Sequence, residues 1–223
     1  MNRMILYKEW LKTRWFLLAA FLVLAAGTFY MGLSLSKTVQ FNGADKLWEV
    51  LVSKETVLLE TLKYLPLAVG GLLAVVQFFP ETARKRLKLT LHLPYPQGRM
   101  MAMMYGYGLA ALTILFLLQA TVLTVSLRHY FVTELVVRIM VTAAVWYLAG
   151  YAAYIWVAAV CLEPTWRMRV VVIVLLAALV RLLFLSGVPE SYNGILPWLV
   201  LYVLCGQVLI FHSVARFKEG LQD

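Results

Sequence analysis

Long apolar runs, each near the length of a bilayer crossing, alternate along this chain with short polar stretches. A helix needs roughly 20 apolar residues to span hydrocarbon. Six runs qualify: 15–36, 57–79, 104–127, 138–161, 170–188 and 196–214. The fourth and fifth are parted only by 162–169, where Glu163, Pro164, Arg167 and Arg169 read as a turn. The loops left over are too short to hold a folded soluble domain. The pattern predicts an all-α integral membrane protein: an amino-terminal segment, 1–14, followed by a six-helix transmembrane domain over 15–223.

The opening segment has a pattern of its own. Met4, Tyr7 and Leu11 share a helical face flanked by Trp10, while Lys8, Glu9 and Lys12 face away and Arg3 and Arg14 stand at the edges. This predicts an amphipathic helix lying in the inner interface before the chain turns into its first span. A basic flank that only sets topology is the plainer alternative. Between the first two spans the chain is polar as far as Asp45, then amphipathic. A second surface helix is expected to begin near Ala44 and bend into the second span around Pro66 or Gly70.

Composition sharpens the picture. The chain is 63% hydrophobic and 14% charged, against about 45–50% and about 25% in soluble domains. Its net charge of +9 belongs outside the hydrocarbon. With a cytoplasmic amino terminus, 13 of the 20 cations and 5 of the 11 acids fall on the inner side. Positive charge marks the cytoplasmic face, so both termini are expected there. Nucleic-acid binding is a poor account of the charge, because no basic stretch is interleaved with stacking aromatics. The first apolar run is longer than the core of a cleaved signal peptide, which has about 7–15 residues. Cys161 and Cys205, both in apolar runs, offer no disulfide framework.

Candidate chemistry is sparse. His92, His129 and His212 belong to separate loops and ends, so no shared metal or haem is expected. No G-x-x-x-x-G-K-[ST] phosphate loop occurs, and the chain cannot hydrolyse ATP alone. Gln77, Gln119 and Gln207 are polar groups inside spans, suited to interhelical hydrogen bonds or to contact with a substrate. Tyr147, Tyr151 and Tyr154 share a face of the fourth span, as an amphiphile-facing groove or as part of an aromatic belt. Gln119 and these three tyrosines are the candidate pathway-lining residues. No buried acid is expected in the spans, which argues against a proton- or sodium-coupled carrier.

The most informative loop is 80–99, with five cations. Leu87 and Leu91 are four apart with Leu93 beyond, Glu81 and Thr82 suit a helix start after Pro80, and Pro94 and Pro96 end it. Such a helix suits docking into a groove on a soluble partner. Glu81, Leu87, Leu91, Leu93, Pro94 and Arg99 stand at offsets that resemble the signature of ATP-binding-cassette (ABC) type-2 permeases. Lys85 and Arg86 occupy the place of that family's Gly-Thr or Gly-Ser.

The resemblance implies a coupling helix over 81–93 that sits in a cleft of an ATPase subunit. Glu81, Arg84, Lys85, Arg86, Leu87, Lys88, Leu91, Leu93 and Pro94 would form the docking loop, its cations facing the ATPase or lipid phosphates. It further implies an exporter in the bacterial cytoplasmic (inner) membrane, moving an amphiphilic or hydrophobic substrate outward. The partners would be an ABC ATPase, a second permease copy or homologue, and membrane lipid. ATP and Mg would be bound by the ATPase, and no cofactor by this chain. The outer loop 186–197, with two prolines and two glycines, would be a short re-entrant segment or a plain turn. The alternative is a non-ABC membrane protein, either a secondary transporter or a structural subunit of a membrane complex.

Overall fold

The computed structural model describes residues 2–53, 62–83, 96–186 and 191–218, and their regular structure is helical throughout. These residues form α1 (Asn2–Ser53), α2 (Leu65–Ala83), α3 (Gln97–Arg128), α4 (Thr133–Leu162), α5 (Trp166–Leu183) and α6 (Leu196–Lys218).

Side-chain contacts give the helix directions. Thr13 meets Tyr107 and Ser36 meets Tyr130, so α1 and α3 run side by side in the same sense. Gly70 lies against Gly150 and Gln77 against Tyr154, so α2 and α4 are parallel as well. Helix α6 joins that pair, with Gly206 beside Trp156 and Arg216 reaching Glu163. Helix α3 opposes α4, since Tyr105 stacks on Tyr154 while Phe116 packs on Tyr147. The start of α1, the end of α2, the start of α3, the end of α4 and the end of α6 therefore share one end of the bundle.

Helix α4 is the central post. Ala149, Ala152, Ala153, Ala158 and Ala159 are buried along it, and its interface with α2 is the most extensive in the fold. Small residues let membrane helices approach closely enough for backbone packing. A Cβ on Gly70 would run into the carbonyl oxygen of Gly150. Around this post Leu73, Phe78, Met101, Met104 and Leu112 fill the core.

The outer surfaces are apolar. Phe21, Leu22, Phe29, Leu117, Leu118 and Val125 are exposed. A soluble monomer seldom shows contiguous apolar patches beyond a few hundred Å². Among the described residues five helices are long and apolar enough to cross a membrane, within Arg3–Lys37, Leu65–Ala83, Gly98–Arg128, Thr133–Leu162 and Leu196–Ser213. The chain is thus an all-helical protein with the character of a multi-pass membrane protein. Helix α5, at the fifth expected span, has 18 residues and includes Arg167, Arg169 and Arg181. Those arginines keep it outside that set.

Three sequence expectations change. Residues 2–14 and the first predicted span are one helix, with no turn between them, and α1 continues through the expected polar loop to Ser53. Neither Pro nor Gly occurs before Gly27, and the first proline is Pro66, so nothing local breaks the ladder. At 52 residues and about 1.5 Å each, α1 is about 78 Å long, well beyond the ~30 Å of a hydrocarbon core.

The second change is that the polar face of its first turns packs against the bundle. Met4, Tyr7 and Leu11 are exposed, while Glu9 is 0% exposed and Thr13 is buried with it. The third is at Glu81, which lies in the last turn of α2 and does not begin a separate helix. Pro80 is accommodated inside that turn, where the Thr82 hydroxyl donates to the Phe78 and Phe79 carbonyls at 3.3 and 3.1 Å.

Candidate functional site

A charged joint forms where α1, α2 and α3 meet. Positions 8, 9, 12 and 13 fall within two turns of α1 at i, i+4 and i, i+3 spacings, so their side chains can reach the same neighbours. Lys12 Nζ lies 3.0 Å from Glu9 Oε1 and 3.0 Å from Glu81 Oε1. Lys8 Nζ adds a second ion pair to Glu81 Oε1 at 2.9 Å. The Thr13 hydroxyl donates to the Glu9 carbonyl at 2.9 Å and shares a 2.8 Å hydrogen bond with the Tyr107 hydroxyl of α3. Glu81 is 1% exposed, and the second carboxylate oxygen of both acids has no partner among the described residues. Both acids lie just outside the predicted spans 15–36 and 57–79, in segments expected on the inner side. The pairings cross 69 and 94 residues of sequence, beyond what local periodicity reveals.

A second ionic joint lies at the same end. Glu163 follows α4, and its Oε1 accepts from Arg216 Nη1 at 2.9 Å and from the Thr165 hydroxyl at 3.0 Å. Its Oε2 accepts from the Ser213 hydroxyl at 2.6 Å. Arg169 Nη2 donates to the Glu163 carbonyl at 2.7 Å. One carboxylate thus ties α4, α5 and α6. Sequence reasoning saw only turn and topology charges here, and the Glu163-x-Thr165 pair beside the basic end of α6 was the available signal.

An uncharged node links α2, α3 and α4 deeper in the bundle. The Tyr154 hydroxyl donates to Gln77 Oε1 at 2.9 Å and approaches the Tyr105 carbonyl at 3.2 Å. Gln77 Nε2 donates to the Met104 carbonyl at 2.7 Å. Gly108 leaves the space for this node, since a Cβ there would meet both the Tyr154 hydroxyl and Gln77 Oε1.

The candidate lining residues part company. Tyr154 is fully buried in that node. Tyr151 donates to the Thr113 hydroxyl at 2.9 Å, and Tyr147 packs on Phe116 with ring centres 5.3 Å apart. Gln119 alone of the four lines a groove of about 750 Å³ between α1 and α3, walled by Phe21, Leu24, Phe29, Leu115 and Val122 among others. Of the docking-loop candidates the structure describes only Glu81, and Arg84, Lys85, Arg86, Leu87, Lys88, Leu91, Leu93 and Pro94 lie outside the described residues. So does part of the outer loop, 187–190.

Among the described residues no three of His, Cys, Asp and Glu come together as metal ligands would. No protein-family model, curated protein or solved structure matches this chain. Chemically, the arrangement offers rigid ionic joints at one end of an apolar bundle and a lateral apolar groove toward the other.

Proposed function

We propose that the chain is the membrane subunit of an ABC exporter, with six spans, both termini cytoplasmic, and loop 80–99 docking on a separate ATPase. The observation that carries this reading is the burial of Glu81 beneath Lys8 and Lys12. Glu81 stands at the foot of α2, where the basic loop begins, and belongs to the motif that resembles type-2 permeases. A force applied to that loop meets a stiff ionic connection to α1 and, through Thr13 and Tyr107, to α3. Closure of two ATPases would tilt these helices together and open a path for an amphiphilic substrate between two permease copies. The setting would be the bacterial inner membrane, with ATP and Mg held by the ATPase.

The test is co-purification with a co-expressed ABC ATPase. Alanine at Leu87, Leu91 and Leu93 together is expected to abolish the association while the chain still reaches the membrane. Retention of the ATPase would reject the docking role.

A second reading, a cation-coupled carrier, is favoured by the second carboxylate oxygens of Glu9 and Glu81, which have no partner among the described residues. Substrate flux in proteoliposomes without any ATPase, driven by a proton or sodium gradient, would establish it in place of the first.

A further inference from the structure

The charged joint of α1 and α2 encloses two acids and one well-sheltered cation. Glu9 is 0% and Glu81 1% exposed. Lys12, 16% exposed, lies 3.0 Å from an oxygen of each, so the two acids flank one nitrogen. Lys8 pairs with Glu81 at 2.9 Å and is 41% exposed, where water screens its charge. Glu81 therefore has two cations, and Glu9 has a share in one. Within electrostatic reach of Glu9 from the other helices are Glu81 on α2 and the phenols of Tyr107 on α3 and Tyr154 on α4. None of these brings positive charge.

The second carboxylate oxygen of each acid has essentially no accessible surface and no hydrogen-bond partner among the described residues. No ligand from solution reaches such atoms, and a metal ion is barred because the Lys12 ammonium already stands between the carboxylates. A proton needs no open path to them. Lys12 touches Glu9 and is itself partly exposed. It passes a proton to the Glu9 carboxylate, forming an O–H bond as an N–H bond breaks, and the amine takes its replacement from water. The hydroxyl so formed also supplies a donor that the orphaned oxygens lack.

We infer that the joint is a proton-operated latch: Glu9 takes up a proton as the pH falls, Lys12 then belongs to Glu81 alone, and α1 is held more firmly to α2. Loss of the proton divides Lys12 between two carboxylates that repel each other and loosens the same contact. The latch rests on the ion pairs and is independent of both readings of transport, since a proton is bound with no ATPase present and no substrate moving.

Infrared titration of the purified chain in maltoside micelles, which carry no ester carbonyl, tests it. The C=O stretch of a protonated carboxyl is expected at pH 6, where a free glutamate, with its midpoint near ~4.3, is almost fully ionised. It is expected to vanish by pH 9. Glu9→Gln should abolish the band, and Glu163→Gln, at the other ionic joint, should leave it. Glu81→Gln leaves both lysines to Glu9 and should move the band to lower pH. Glu9→Gln keeps Lys12 on Glu81 at every pH, so its thermal midpoint should match the parent at pH 6 and exceed it at pH 9, because a proton held by the folded state stabilises it only while bound. Where Glu9→Gln does not fold, the shift in Glu81→Gln decides. A parent spectrum without the band at pH 6 would overturn the latch whether or not any variant folds. So would a band that survives Glu9→Gln, one that stays in place in Glu81→Gln, or a stability difference that does not widen with pH.

Discussion

Lys12 Nζ stands 3.0 Å from Glu81 Oε1, joining the first turns of α1 to the last turn of α2 across 69 residues of sequence. The same ammonium is 3.0 Å from Glu9 Oε1, so one cation serves two buried carboxylates. Two acids this close repel one another, and the lysine between them makes their joint burial tolerable.

Removing that cation is expected to be severe. Lys12→Met leaves Glu9 facing Glu81 with only Lys8 nearby, and should lower stability by about 3–5 kcal/mol, the cost of an uncompensated buried charge. Lys8 is 41% exposed, where water screens its pair, and Lys8→Met should cost no more than about 1 kcal/mol. Thermal unfolding in detergent compares the two. Equal effects would show that Lys12 is not the shared counter-ion.

The contact of α2 with α4 supplies a steric prediction. A Cβ on Gly70 meets the backbone oxygen of Gly150, which cannot swing aside as a side chain does. Gly70→Ala should destabilise by about 1–3 kcal/mol or more. Gly106 lies inside α3 with nothing within 4 Å of its Cβ position, and Gly106→Ala should stabilise by roughly 0.5–1 kcal/mol through its helix preference. Opposite signs in the same unfolding assay are the expected result.

The polar node makes a third. Tyr154→Phe deletes the hydroxyl that donates to Gln77 Oε1 and strands that buried acceptor, at a cost of about 1–3 kcal/mol. Gln77→Leu removes the acceptor in turn. In a double-mutant cycle the two should couple by about 0.5–2 kcal/mol, and strict additivity would mean that the hydrogen bond contributes nothing.

The last concerns sidedness. In a background of Cys161→Ala and Cys205→Ser, single cysteines at Met4 and Arg99 sit at one end of the bundle and one at His129 at the other. A membrane-impermeant maleimide should label His129→Cys in intact cells, and Met4→Cys and Arg99→Cys only after permeabilisation. Labelling of Met4→Cys or Arg99→Cys in intact cells would invert the proposed topology.

The sequence by itself determined that the chain is helical, apolar along most of its length, and charged where the apolar runs end. Run length, composition and the absence of Pro before residue 66 are local properties, and a helix hydrogen-bonds within itself. Tertiary structure alone decided which side of each helix meets which neighbour. The two faces of residues 4–12 were plain, yet the packing of the polar face against the bundle was not: Met4 faces out and Glu9 in. Amphipathicity shows that two faces differ, whereas the surroundings determine which one turns inward. With an apolar bilayer outside and Glu81 waiting inside, the charged face has its partner within the bundle. Lys12 with Glu81 and Glu163 with Arg216 depend on helices distant in sequence, and spacing along one helix cannot encode what stands opposite it.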